Sequence, residues 1–430
     1  MELVELTPKE FDKFAWKHPQ GSFYQISNWG DLKKKNGWKS HFLGLKDGKN
    51  LVAASLILSK KTPIKKDMFY APRGFLIDYN NYDLLKEFTD KVKEYAKKHG
   101  AIFVKIDPYI PYQERDINGD IVEGGYNNKD AFSYLTKLGY KHFGFNIMQD
   151  TLQPRWMFVT DTKDTTVDEL MKKMDPKTRQ ILHRNERLGI YTREIGYDEI
   201  PKFKEIMEHT GERREFIDRP LSYYQEMYEA MKDKIKIVLA ELNIKELITK
   251  IDKEISDLKK DYDERKYKHD NKIINMNENK YNSKQESVLR DIEKLEKDLS
   301  HYKDLNKDGD VLTLGGILFL LSGNEVLSLV GGSFDKYMEF KSAYTVHFAG
   351  VKYAIENNYD RYNFYGIVGD FDPKNELAGL YTFKKSYSGY VVELIGEFDL
   401  VINKTFYKIY KASFGLYHGA KNLKAKIHKK

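Results

Sequence analysis

Residues 243–306 constrain this chain more than any other stretch. Ile244, Ile248, Ile251, Ile255, Leu258 and Tyr262 recur at alternating spacings of four and three, and so do Val288, Ile292, Leu295, Leu299 and Tyr302. Nearly every residue between them is charged or Asn. This is a heptad seam with one narrow apolar stripe. The Asn-rich run Asn271–Asn282 interrupts the seam and reads as a turn. Two helices of roughly 40 Å joined there make an antiparallel hairpin. With only one stripe to bury, the hairpin is expected to project as an arm. The same pattern also permits a coiled coil between chains.

A faint internal repeat flanks the arm. Val92-Lys93-Glu94-Tyr95-Ala96 begins a helical run that stops at His99-Gly100 and enters the apolar strand Ile102–Ile106. Val351-Lys352-Tyr353-Ala354-Ile355 does the same, stopping at Asn357-Asn358 before Arg361–Tyr365. Gly and Asn suit helix ends because they tolerate left-handed backbone. Upstream of each, Leu51–Leu58 and Leu312–Leu329 read as β-hairpin material. The expected fold is α/β: two tandem acyltransferase-like (GNAT-type) mixed-sheet units with the helical hairpin inserted in the second. The expected division is 1–150 for the first unit, 151–242 with 307–400 for the second, 243–306 for the arm and 401–430 for a basic C-terminal segment. Coenzyme A-dependent enzymes with such a unit carry an Arg/Gln-x-x-Gly-x-Gly/Ala pyrophosphate loop. The nearest approach here, Arg193–Asp198, ends in Asp, which counts against coenzyme A as the donor.

Composition narrows the chemistry. A chain of 430 residues exceeds one ordinary core. It has no cysteine, which excludes disulfides, thiolate metal sites and a sulfur acyl-enzyme. Its net charge of +7 favours a polyanionic partner such as RNA, phosphate or an acidic membrane surface. The first residues, MELVELTPKEFDKF, lack an apolar signal core, and the longest apolar run, Leu312–Leu321, is about half of what a membrane-spanning helix needs. A cytoplasmic protein, at most peripheral to the membrane, is expected.

The stretch Arg361–Lys385, RYNFYGIVGDFDPKNELAGLYTFKK, joins an aromatic strand to an acidic loop and a Phe-Lys pair. It resembles the C-terminal signature of the Fem family, the tRNA-dependent aminoacyltransferases that build peptidoglycan interpeptide bridges. The resemblance runs along the chain. It continues through Trp29–Lys33, Tyr70–Phe75, Lys105–Pro108, Gln153–Arg155, Gly211–Arg213, Asp218–Tyr224, the expected turn Gly331-Gly332-Ser333, and Ile395–Asp399. It implies amide formation. An amine on the stem peptide of a peptidoglycan precursor attacks the ester of aminoacyl-tRNA. The acceptor is lipid II or, alternatively, soluble UDP-MurNAc-pentapeptide. The co-substrate is aminoacyl-tRNA and no further cofactor is implied. Other Fem-type transferases are possible partners. A coenzyme A-dependent N-acyltransferase and a non-catalytic scaffold are the rival readings.

By resemblance, Lys384 faces the developing oxyanion and Phe383 lies near the terminal adenosine of the tRNA. Without the resemblance, Lys384 reads as a surface lysine and Phe383 as core. Asp107 ends a core strand before Pro108, so it lies at a strand mouth, where it could bind the attacking ammonium or take its proton. An ordinary Asp-Pro turn is the other reading. Lys33, Arg73, Arg219 and Tyr223 align with precursor-binding positions, where Lys and Arg suit pyrophosphate or carboxylate oxygens. Lys33 sits in a run of three lysines, which leaves its register open by one residue. Leu329-Val330 stand where some family members have an aromatic substrate contact. The basic stretch Lys172–Arg193 and the lysines from Lys421 onward are candidate contacts for tRNA phosphates or anionic lipid.

Overall fold

The computed structural model describes residues 1–148, 152–375 and 377–413. The lysines from Lys421 onward lie outside the described residues. Among the described residues, fifteen strands form two mixed sheets. In chain order they are β1 (Glu2–Glu5), β2 (Lys39–Asp47), β3 (Asn50–Lys61), β4 (Asp67–Ala71), β5 (Ala101–Ile106), β6 (Pro111–Glu114), β7 (Tyr140–His142) and β8 (Trp156–Asp161). Then follow β9 (Ile190–Ile195), β10 (Ile235–Asn243), β11 (Val311–Ser322), β12 (Glu325–Ser333), β13 (Arg361–Ile367), β14 (Tyr390–Leu394) and β15 (Phe398–Val401).

The first sheet has the order β1-β2-β3-β4-β5-β15-β7, and the second, read in the matching direction, β9-β10-β11-β12-β13-β8-β14-β6. Each runs antiparallel through four strands. Each then crosses over a helix to a parallel neighbour, β4 to β5 by Tyr82–Lys98 and β12 to β13 by Ser342–Glu356. Both crossover helices stop on left-handed backbone, at Gly100 (φ 71°) and Asn358 (φ 58°). The sixth slots are exchanged. After β7 the chain places β8 beside β13 in the second sheet, and after β14 it places β15 beside β5 in the first. β6 also leaves the first half to edge the second sheet. The sheets therefore do not divide at residue 150, as the sequence pattern suggested. Strand alternation is the same whichever sheet a strand joins.

The repeats part company at one hairpin. β2 turns into β3 through Gly48-Lys49, whereas β10 is joined to β11 through the helices Ile244–Asp270 and Glu278–Leu305. Asn243 caps the first of these, its Oδ1 accepting from the Glu246 N–H at 3.1 Å. Lys259–Glu296 (2.7 Å) and Lys303–Asp252 (3.6 Å) pair the two helices in antiparallel sense. Ile251, Ile255, Ile292 and Leu299 are buried in the seam, and Ile244, Leu247, Tyr302 and Leu305 root it in the core of the second sheet.

Packing is layered. Helix Tyr82–Lys98 covers one face of the first sheet and helix Ser342–Glu356 one face of the second. A shared core lies between the sheets, built by helices Pro8–Ala15, Ser27–Lys35, Ile200–Arg214 and Leu221–Met231. The expected Gly331-Gly332-Ser333 turn is instead the end of β12, paired with β11. Its glycines admit helix Ile200–Arg214, since a Cβ on Gly332 would stand 2.1 Å from Thr210 Oγ1. Among the described residues, no helix is long and apolar enough to cross a membrane.

Candidate active site

Asp107 follows β5 directly and is 3% exposed. Its Oδ1 accepts from the Arg73 backbone N–H at 2.8 Å, and its Oδ2 lies 3.6 Å from Arg73 Nη1. Burial pushes the carboxyl up to about 6, against the pull of Arg73. The guanidinium of Arg73, itself buried, also donates to Pro154 O at 2.7 Å. Beside this pair, Tyr365 donates to Gln153 Oε1 at 2.9 Å and Tyr24 donates to the same oxygen. The two tyrosine hydroxyls are 2.8 Å apart. Tyr365 reaches the cluster because β13 bulges there, with Tyr365 in left-handed backbone (φ 64°) and its N–H held by Asn363 Oδ1 at 2.8 Å. Residues from both repeats and the segment between them thus meet in one polar cluster, beside a small cavity lined by Arg73, Asp107, Gln153, Arg155 and Glu397.

A second buried group braces the same junction. Tyr109 donates to both Glu325 carboxylate oxygens at 3.0 and 2.9 Å. Asn363 Nδ2 donates to Tyr109 Oη at 2.9 Å, and Arg361 Nε to Glu325 at 3.0 Å. Buried polar groups are tolerated when so fully partnered.

Lys33, Arg219 and Tyr223 also converge. Lys34 pairs with Asp31 and Lys35 with Glu229, which leaves Lys33 as the lysine turned inward, 4.2 Å over the Trp29 ring. Burial first, then the charge of Arg219, lowers the Lys33 ammonium to about 8. Arg219 lies 5.4 Å over Tyr223, and Tyr223 and Tyr365 both border the shared core between the sheets.

Lys384 stands apart from both. It is 5% exposed, so it is not a surface lysine. Its Nζ donates to Gly366 O at 2.7 Å and meets no carboxylate among the described residues. Burial alone lowers it to about 7. Burial first, then the nearby charge of Lys384, lowers His347 to about 3. Phe383 packs edge-on to Tyr344 at 4.8 Å and against His347 at 5.2 Å. It is half-buried, at the rim of an aromatic cluster that includes Phe364 and Tyr387. Tyr362 and Phe364 face this cluster, whereas Asn363 and Tyr365 face the junction. Lys384 and Asp107 thus lie on opposite sides of β13, and no hydrogen bond or ion pair joins them among the described residues.

One backbone feature sets the surroundings of Lys384 apart from the matching place in the first repeat. β4 pairs with β5 along its whole length, but β12 pairs with β13 only from Glu325–Leu327 to Arg361–Asn363. Gly366 lies beyond the point where the two strands part. The sequence reading missed Tyr24 and His347. Neither has a local signal, since each acquires its role from a partner hundreds of residues away or on the next element.

The basic stretch Lys172–Arg193 is partly engaged within the protein. Arg179 donates to Lys172 O and Met174 O, Arg184 to Glu339 O, and Arg193 is held by Glu199 and Glu241. Arg193, the start of the nearest pyrophosphate-loop match, is thus committed to two carboxylates.

The FemAB family matches residues 6–413. Aminoacyltransferase FemA of Staphylococcus epidermidis is 33% identical over 415 residues, 96% of this chain and 98% of its own. Aminoacyltransferase FemA of Staphylococcus aureus is 32% identical over 416 residues, again 96% and 98%. The crystal structure of FemX superposes with a TM-score of 0.79 at 29% identity, covering 95% of this chain and 99% of that one.

Proposed function

The chain belongs to the FemAB family, and we propose that this aminoacyltransferase builds a peptidoglycan interpeptide bridge, moving an amino acid from aminoacyl-tRNA to a stem-peptide amine of the precursor. The observation that carries the reading is the isolated, buried ammonium of Lys384 beside the gap between β12 and β13.

The amine attacks the ester carbonyl, the C–N bond forms, and negative charge collects on the carbonyl oxygen. Lys384 meets that oxyanion from a site without competing carboxylates, where a fixed charge is worth most. Collapse breaks the bond to the ribosyl oxygen. That oxygen gains the proton the amine loses, so no net proton is taken from the protein. The ammonium, lowered to about 7, relays that proton by giving one to the ribosyl oxygen and taking one from the attacking nitrogen.

Asp107 acts on the acceptor side. Its separation from Lys384 suits a clamp that fixes Arg73 and the junction rather than a base at the reacting carbon. Lys33 and Arg219 hold the pyrophosphate of the precursor and Tyr223 its attached groups. A half-buried lysine and an exposed arginine beside an aromatic ring favour a diphosphate over a neutral ligand. Phe383 and its aromatic neighbours offer a face for the terminal base of the tRNA. The lipid-linked precursor, reached from the inner membrane face, is the proposed acceptor.

The test is to incubate purified protein with charged tRNAs and either lipid II or UDP-MurNAc-pentapeptide, then weigh the products. A gain of one amino-acid residue on lipid II supports the reading. A gain on the nucleotide-linked precursor alone reassigns the acceptor. No gain on either, or on a precursor already carrying one bridge residue, overturns the transfer reaction.

A further inference from the structure

In the loop that joins helix Ile200–Arg214 to helix Leu221–Met231, Ile217 is 100% exposed and Phe216 is 43% exposed. The loop is nonetheless firmly built. Glu215 ends the first helix on left-handed backbone (φ 56°), and the Phe216 N–H donates to Gly211 O at 3.0 Å. The chain can fold back so closely because residue 211 is glycine, where a Cβ would stand 2.8 Å from Phe216 O. On the other side of Ile217, Asp218 is turned inward. It accepts from Lys204 Nζ at 2.7 Å and from the Tyr224 hydroxyl at 2.6 Å. Phe216 and Ile217 are therefore held outward between two fixed points.

Single exposed apolar side chains are ordinary on protein surfaces. This pair is set apart by the charge beside it. Arg219 is exposed as Ile217 is, on the far side of the inward Asp218, and lies 5.4 Å over the Tyr223 ring. Two residues of chain span at most about 7 Å, so the isoleucine and the guanidinium start from backbone no farther apart than that. The half-buried Lys33 is the second cation of the group, and the charge of Arg219 is felt there. Helix Leu221–Met231 begins directly after Pro220 without a side-chain cap, so its positive end adds to the same neighbourhood.

Area decides what kind of occupant fits. A stable protein interface takes about 800 Å² from each partner. Two side chains offer a small fraction of that, and charged residues bound them, Arg214 and Glu215 before and Asp218 and Arg219 after. A single hydrocarbon chain needs no more than such a strip. A lipid-linked acceptor carries its chain directly on the diphosphate. Phosphates held at Arg219 and Lys33 therefore bring the first carbons of that chain to the border where Ile217 stands.

We infer that Phe216 and Ile217 hold the start of the hydrocarbon chain of a lipid-linked diphosphate whose phosphates meet Arg219 and Lys33. The inference rests on the diphosphate reading of those two cations. It makes the loop a specificity element, which favours a lipid-linked acceptor over a nucleotide-linked one that has no chain to offer.

Farnesyl diphosphate, kept below its micelle concentration, and inorganic pyrophosphate are the probes, and calorimetry on the full chain compares them. The native chain should bind farnesyl diphosphate at least about tenfold more tightly than pyrophosphate. F216S with I217S should remove most of that advantage, leave pyrophosphate affinity within about twofold and hold the melting temperature within about 2 °C. I217S alone, at a fully exposed position, should lower the advantage at least about threefold. The inference alone is overturned if the native chain binds both probes equally. It is also overturned if the double variant keeps the advantage while losing self-association or binding to phosphatidylcholine vesicles, which assigns the pair to a second copy or to a bilayer, or while losing neither. Pyrophosphate that does not bind the native chain at all overturns the diphosphate reading of Lys33 and Arg219, and the inference with it.

Discussion

At the mouth of β5 the first repeat sets Asp107 against both the backbone and the guanidinium of Arg73, and Arg73 against Pro154. Past β13 the second repeat sets Lys384 against one backbone carbonyl, with no counter-ion among the described residues. The frame is shared, but one buried charge is partnered and the other is left alone. A partnered ion braces a junction. A lone one is unfavourable for the resting fold and becomes useful when a negative charge develops beside it. On the proposed reading, the difference separates a residue kept for architecture and acceptor binding from one kept for chemistry.

The sharpest way to break this contrast is K384M. Turnover in a single-turnover assay should fall about 10²–10³-fold, as for loss of one oxyanion donor. Stability at pH 7 should rise by about 1–3 kcal/mol in denaturant titrations, because Met needs no desolvation of charge. The sign follows from a folded-state value lowered to about 7 from 10.5. Across that window the unfolded chain binds the proton that the folded chain sheds, so native stability rises with pH there, and the K384M curve should be flatter. A variant that loses both activity and stability would contradict the assignment.

D107N should give the opposite pairing. It leaves Arg73 buried without a counter-charge, a change that destabilises by about 3 kcal/mol, and the loss in turnover should be smaller than for K384M. If turnover instead falls as far as for K384M with stability intact, Asp107 is a base and not a clamp.

R219A should raise KM for the precursor roughly 10–100-fold with kcat little changed, the pattern of lost ground-state binding. Because Lys33 is lowered to about 8, affinity for the diphosphate should weaken as pH rises through that value. Calorimetry in buffers of different ionisation enthalpy should then record proton uptake on binding. G332A tests the shared frame, since the new methyl would press on Thr210 and should destabilise by about 1–3 kcal/mol without touching KM. The smallest effect is expected from trimming the arm beyond the Lys259–Glu296 pair. With no net charge on the arm, KM for aminoacyl-tRNA should stay within about twofold.

Much of this arrangement was legible locally. The crossover helices and their strands repeat because helix period, terminator and apolar strand are all short-range signals. The inward register of Lys33 was also within reach, since Trp29 precedes it by one helical turn. The exchange of β8 and β15 was not, because a strand's alternation does not name its partner. Nor was the turn of Tyr365 into the junction, which depends on a bulge against β8. The burial of Lys384 likewise comes from Gly366 and the helix carrying His347, neither adjacent in sequence.

The exchanged sixth strand has a consequence for how the protein is made. β5 and β7 have emerged from the ribosome by residue 142, yet the strand that lies between them ends at Val401. At about 5–20 residues per second, the first sheet waits roughly 10–50 s with an open slot lined by unpaired backbone N–H and C=O groups. During that interval a chaperone, or a foreign strand, competes for the place that β15 finally takes.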